Sequence, residues 1–508
     1  MFKQLLLPIL KGLSIYSFPF FVSCFLLVFT SCGQAEQSID FKELKEKDGK
    51  TYWNDNLFTG KATKNLKKRN TKEIIVFKDG EKQTKQEQYA DGTLKAETQF
   101  VGGQVNGVAK EWHENSKLAA ETFFEGGEKI KRHDFYEDGA KKEVKYFVNG
   151  KLDSLHQSWH ANGKLATEAR LVDGSRVGKY SAWHDNGSLA EEAYYKDGKV
   201  DSLKKEWYAD GSKKMEVTFL NKKKDGKKTK WYENGQMALE EEYEYDKLTG
   251  ERKKWHKNGQ LEESEPYKDG FLNGKKQVWY EDGKMKSEVL FANGQKNGIR
   301  NSWHKNGTQI LKETYKKGIL LSQAKWHPNG SEKMSVEYDD NGQKNGFEKE
   351  WYDNGQLKLQ TNWEKGKKNG VATQWTEKGQ IASEVVFENN VMNGTQKEWF
   401  PNGKLKELVT LKNGKRDGKY VKYYDNGILQ LEEHYLQGGL HGEATKWHKN
   451  GKKSDTIKYR KGVKHGAKTE WYENGMVKSE ANYQNDRIVG KIKHWKQDGT
   501  LKTGKKKK

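Results

Sequence analysis

The chain has 508 residues, enough for several ordinary domains, but only 33% of them are apolar while 32% are charged, which argues against compact domains with thick cores. With 17 Trp, 24 Tyr and 20 Phe it is too rich in aromatics for an unstructured chain. The net charge of +21 favours anionic partners such as phospholipid headgroups, envelope polymers or acidic proteins.

Residues 1–31 read as an export signal. Lys3 and Lys11 supply positive charge, Leu13 to Phe29 is nearly all apolar, and the chain turns polar after Thr30, Ser31, Cys32 and Gly33. The stretch "VFTSCGQ" resembles the lipobox of bacterial lipoproteins, with Phe29 where an aliphatic residue is usual. That resemblance implies lipidation at Cys32, which becomes the mature N-terminus. Cys24, followed by bulky Phe25, is the poorer candidate, and these are the only two cysteines. The expected location is the cell envelope, lipid-anchored, with Gly33 pointing to the outer membrane. A linker is expected over residues 32–51, a repeat array over 52–500 and a basic tail over 501–508.

The array declares itself by its period. "WYENGQMALEEEY" at 231–243 returns as "WYENGMVKSEANY" at 471–483. Counting from the first aromatic of each repeat as position 0, 18 repeats begin between Gln88 and Trp495, nearly all 24 residues apart, and 15 of the 17 tryptophans occupy position 0. Position 3 is Asn or Asp in 17 of 18 repeats and position 4 is Gly in 17 of 18. Asn-Gly between alternating runs is a strong hairpin signal, with a turn that needs positive φ. Positions 6, 8, 10 and 12 alternate with polar residues, as in Met285, Ser287, Val289 and Phe291, and a period of two means strand. Position 12 is aromatic in 15 of the 17 repeats that reach it, and most repeats carry a further Gly at position 19 within a second, longer loop.

Each repeat is therefore expected to be two antiparallel strands. The fold class is all-β: an elongated, single-layer antiparallel β-meander or solenoid of about 19 stacked hairpins, with strands roughly 4.8 Å apart. Trp, Leu and the position-12 aromatic are expected to form one buried spine, with Lys and Glu on the other face. The unit "WYENGQMALEEEYEYDKLTGERKKW" resembles the MORN-repeat variant of bacterial proteins, including YwqK-type antitoxins. That resemblance implies a scaffold; the commoner form begins Tyr-x-Gly, which this chain replaces with Trp-[Tyr/His]-x-Asn-Gly.

No catalytic or metal site stands out. His recurs at position 1 (His113, His160, His184, His256, His304, His327, His448), but equivalents two strands apart lie about 10 Å from one another, too far to share one ion. Glu recurs at position 9 (Glu97, Glu121, Glu168, Glu192, Glu216, Glu240, Glu288, Glu384, Glu432, Glu480). Cross-strand pairing with Lys explains such a column better than the paired carboxylates of a glycosidase. The Gly-rich loops lack Walker spacing, and a Trp column committed to a core is unavailable for stacking nucleic acid. The expectation is a non-enzymatic envelope lipoprotein without cofactor. Its repeats would bind protein or an anionic glycan or lipid surface multivalently, with self-association through the apolar face as a further partner mode. The alternative, from the resemblance alone, is an antitoxin or immunity protein that neutralises a polypeptide toxin. The binding residues stay unassigned.

Overall fold

The computed structural model describes residues 38–68 and 70–502. The export signal, Cys32 and most of the basic tail lie outside them. The chain forms two compact units, Met1–Gly139 and Ala140–Lys508. Among the described residues the one helical element is the short 3-10 turn Phe41–Glu43, and the rest of the regular structure is strand.

In the first unit the strand Ser38–Asp40 pairs in parallel with Gly60–Leu66, the start of an antiparallel meander through Thr71–Lys78, Glu81–Gln88 and Leu94–Val101. A small second sheet, Lys45–Lys47, Lys50–Trp53 and Asn56–Leu57, is tied to the turn of the main one, where Thr51 N–H donates to the Gly80 carbonyl and Gly80 N–H donates to that of Phe58. Ile39, Phe58, Ala62, Ile75 and Phe77 are buried together, with Phe41, Leu44 and Trp53 packed against them. Residues 38–51, expected as part of a linker, thus cover what would otherwise be an open sheet edge and an apolar face.

The second unit is a regular meander. A strand over positions 6–13, such as Met237–Glu244, is followed by one over positions 16–24, such as Lys247–Trp255, each antiparallel to the next. Two expectations about the turns are corrected. At Asn-Gly, Tyr232 N–H donates to the Gln236 carbonyl and Gly235 N–H donates to that of Tyr232. The loop is therefore three residues long, and only Gly235, at φ +79, is left-handed. The two-residue turn with both residues left-handed lies at positions 14 and 15 instead, as at Asn293 (φ +50) and Gly294 (φ +77) between paired Ala292 and Gln295. Its twist matches that of the flanking strands. The apparent longer loop is strand interrupted by a bulge, and there Gly298 (φ +120) passes so close that a Cβ would sit 2.7 Å from Leu290 Cδ2.

The expected tryptophan spine is also corrected. Every tryptophan is half-buried, and the deepest side chains sit at positions 10 and 21, among them Ala169, Tyr180, Ala193, Val217, Glu241 and Glu265. The reason is placement along the strand. Position 0 ends a strand opposite position 6, beside the turn, whereas positions 10 and 21 face each other at mid-strand.

Candidate binding face

Three kinds of hydrogen bond join neighbouring repeats, and each uses a side chain that the period fixes in most repeats. The position-3 Asn accepts at Oδ1 from the position-5 N–H and donates from Nδ2 to a carbonyl of the following repeat, as from Asn234 to Lys257 (2.8 Å) and from Asn450 to Glu473 (2.8 Å). The position-1 ring donates to the carbonyl of the next position-0 residue: Tyr232 Oη to Trp255 at 2.8 Å, His184 Nε2 to Trp207 at 3.0 Å. On the opposite margin a position-18 Asn or Asp accepts from the position-14 N–H one repeat on, as Asn297 does from Lys317 at 3.0 Å. Together these bonds hold successive repeats in one register on both margins.

Two columns of side chains then cross the strands on one face. Positions 10 and 21 make the first. Between residues 228 and 276 it is ionic: Lys228 Nζ lies 2.6 Å from Glu241, Arg252 Nε lies 2.9 Å from Glu241, Arg252 also binds Glu265, and Lys276 Nζ lies 2.5 Å from Glu265. Glu241 is only 6% exposed. Burial pushes its carboxyl up, but the hydrogen bonds from Lys228, Arg252 and Tyr243 outweigh this and hold it down at about 2. The same bond and burial push the Tyr243 phenol up to about 12.

Positions 12 and 17 make the second column, with the position-17 side chain lying against the next aromatic ring. Lys224 Nζ is 4.8 Å from the Tyr243 centroid, Lys296 4.7 Å from Tyr315, Lys368 5.3 Å from Phe387 and Lys464 5.3 Å from Tyr483. Arg176 lies 4.3 Å from Tyr180 and 5.5 Å from Tyr195, and Arg416 4.2 Å from Tyr420 and 5.2 Å from Tyr435. Such stacking onto a ring stabilises a cation by about 0.5–2 kcal/mol.

Nine segments, 105–125, 176–197, 224–245, 248–269, 272–293, 344–365, 392–413, 416–437 and 464–485, match the family model described as the MORN repeat variant. Over these nine segments the chain is similar to the MORN repeat variant. No curated protein matches the chain. Among solved structures, those described as "Crystal Structure of TcdB2-TccC3-Cdc42" and "Crystal Structure of TcdB2-TccC3" match with 10% and 11% identity over 84% of this chain, at TM-scores of 0.11 and 0.10. This chain spans 31% and 29% of theirs.

Within the array six of the seven histidines expected at position 1, His113, His160, His184, His256, His327 and His448, serve as ring donors between repeats, which explains their exchange with Tyr: both present an N–H or O–H at the ring tip. No group of three or more His, Cys, Asp or Glu able to hold a metal occurs among the described residues. Six of the ten position-9 glutamates pair with Lys as expected, among them Glu192 with Lys179 at 2.7 Å, Glu288 with Lys275 at 3.2 Å and Glu432 with Lys419 at 3.1 Å. The position-17 cations were not anticipated. Their signal was present in the sequence, since position 17 alternates between Lys or Arg and aliphatic residues (Val200, Leu248, Leu272, Leu320, Met392, Leu440). Without the register, nothing marked that position as the neighbour of the next ring.

Proposed function

We propose that the protein is a non-enzymatic, lipid-anchored lipoprotein of the cell envelope, in which Cys32 carries the anchor and the MORN-variant array is the binding scaffold. The observation that carries this reading is the set of inter-repeat bonds at positions 1, 3 and 18. They fix the spacing of successive repeats, so whatever a repeat presents is presented again at the same interval. Weak contacts repeated on such a frame add through effective concentration.

The test is capture from detergent-solubilised envelopes with the intact chain and with Cys32→Ser, at low and high salt. The expected outcome is envelope fractionation that depends on Cys32, with a set of anionic envelope components released as salt rises. Recovery of the intact chain from the cytosol, unlipidated, overturns the location. One stoichiometric polypeptide that survives high salt overturns the multivalent reading in favour of a dedicated toxin-neutralising complex.

A further inference from the structure

Cations at two positions of the array differ in what they touch. Those at position 21 meet carboxylates directly, as Lys228, Arg252 and Lys276 do. At position 17, Arg176, Lys224, Lys296, Lys368, Arg416 and Lys464 meet aromatic rings instead, and none of the six is within ion-pair distance of a carboxylate. Lys344, which the longer repeat beginning at Trp326 brings to the same place, lies 4.6 Å from the Trp363 centroid but 2.5 Å from Glu348, and is already neutralised. In Arg416 and Lys296 a tyrosine hydroxyl stands between cation and acid: Tyr435 Oη accepts from Arg416 at 3.0 Å and donates to Glu433 at 2.8 Å, and Tyr315 Oη accepts from Lys296 at 3.4 Å and donates to Glu313 at 3.0 Å. Arg176, Lys368 and Lys464 are the least compensated, because position 10 beside their rings is Ala193, Val385 and Ala481.

We infer that this column is a binding track for a linear acidic polysaccharide, which deepens the scaffold reading and rests on it. A repeated site asks for a repeated ligand. The cations recur at intervals of 48 or 72 residues, which is four or six strands, roughly 19 or 29 Å, and aliphatic residues such as Leu248, Leu320 and Leu440 fill intervening places. A chain of sugars with acid groups spaced along it matches both charge and interval, its uncharged carbons and hydroxyls lying over the aliphatic places. A flat lipid surface suits this geometry less well, because cations held against rings cannot extend outward to headgroups without losing those contacts. Single-stranded nucleic acid needs open ring faces for its bases, and here the cations occupy them.

The experiment uses the full chain with immobilised polygalacturonate as probe, with inorganic polyphosphate, single-stranded DNA and phosphatidylglycerol vesicles as competitors. The track variant carries Arg176→Gln, Lys224→Gln, Lys296→Gln, Lys368→Gln, Arg416→Gln and Lys464→Gln. A control loses the same number of charges at exposed positions off the column, through Lys196→Gln, Lys257→Gln, Lys268→Gln, Lys317→Gln, Lys412→Gln and Lys461→Gln. A third variant keeps the charge by exchanging Arg and Lys at the six track positions. The expected result is salt-sensitive binding of polygalacturonate that weakens at least about 30-fold in the track variant, through loss of avidity. The control should change less than about threefold, and the charge-keeping variant should bind like the native chain. If the track variant misfolds, the control and the charge-keeping variant still decide. Equal losses in the control, or loss in the charge-keeping variant, overturn the track. Preference for vesicles, polyphosphate or DNA through the same six residues overturns the polysaccharide while leaving the scaffold standing. Absence of binding to all four probes overturns the track alone, since envelope capture tests the scaffold separately.

Discussion

Two neighbouring stretches of the array use one backbone with different interiors. Along positions 10 and 21, the first presents Ala169, Tyr180, Ala193, Lys204 and Val217; the second presents Lys228, Glu241, Arg252, Glu265 and Lys276. Strand pairing is the same in both, with Tyr180 opposite Ala193 in one and Lys228 opposite Glu241 in the other. The first gains from apolar burial and the Tyr180–Tyr195 ring contact at 5.9 Å. The second gains only what ion pairs leave after desolvation, which is small for the pair as a whole. The period therefore conserves the margins, where turns and inter-repeat bonds sit, and leaves the middle of the strand free to be apolar or ionic.

The largest expected effect separates the two stretches. Glu241→Ala leaves Lys228 half-buried without its acid and Arg252 with Glu265 but not Glu241, and removing one partner of a buried ion pair costs on the order of 3 kcal/mol. Amide exchange should accelerate across residues 237–255 and stay unchanged over 189–207. Faster exchange in both stretches alike would mean that the column is not a local unit.

Acid should draw the same line. The Glu241 carboxyl is lowered in the folded protein from its ordinary 4.5 to about 2, and those of Glu263 and Glu313 are also lowered, by hydrogen bonds from Lys254 and Lys276, and from Arg300, that outweigh burial. A depressed folded value means the stabilisation is complete above the unfolded value and fades as pH falls from about 4.5 towards 2, up to about 3 kcal/mol for Glu241. Exchange followed between pH 5 and pH 2.5 should show the ionic stretch opening before the apolar one. Simultaneous opening would remove the distinction, and in Glu241→Ala much of the acid sensitivity should already be gone.

This difference also sets what was legible beforehand. Alternation over positions 6–12 gave the strands and Asn-Gly gave the chain reversals, because both are local. Position 10, occupied by Ala, Val, Thr, Ile and Glu in different repeats, carries no steady apolar signal, so the deepest position of the sheet was invisible while the half-buried Trp stood out. The second bond of the position-3 Asn, and the approach of each position-17 cation to the next ring, exist only once neighbouring repeats are in register. Both join residues about one repeat apart, which no window on a single repeat can reveal.

Smaller effects test the margins that both stretches share. Tyr232→Phe removes the hydroxyl that donates to the Trp255 carbonyl at 2.8 Å and should cost about 1 kcal/mol, read as faster exchange at the 231–236 turn.

The last and smallest effect asks which bond of the position-3 residue matters. Asn234→Asp keeps the acceptor for Gln236 N–H and loses the Nδ2 donor to the Lys257 carbonyl, because a carboxylate only accepts. Asp210 shows that state naturally: it accepts from the Ser212 N–H at 2.8 Å and hydroxyl at 2.6 Å. Asn234→Asp should therefore cost about 0.5–1 kcal/mol at a solvent-exposed site, while Asp210→Asn should gain the bond to the next repeat and slow local exchange. Opposite signs for these two exchanges would identify the inter-repeat bond as the reason for Asn at position 3. Equal and negligible effects would return that residue to a purely local role in the turn.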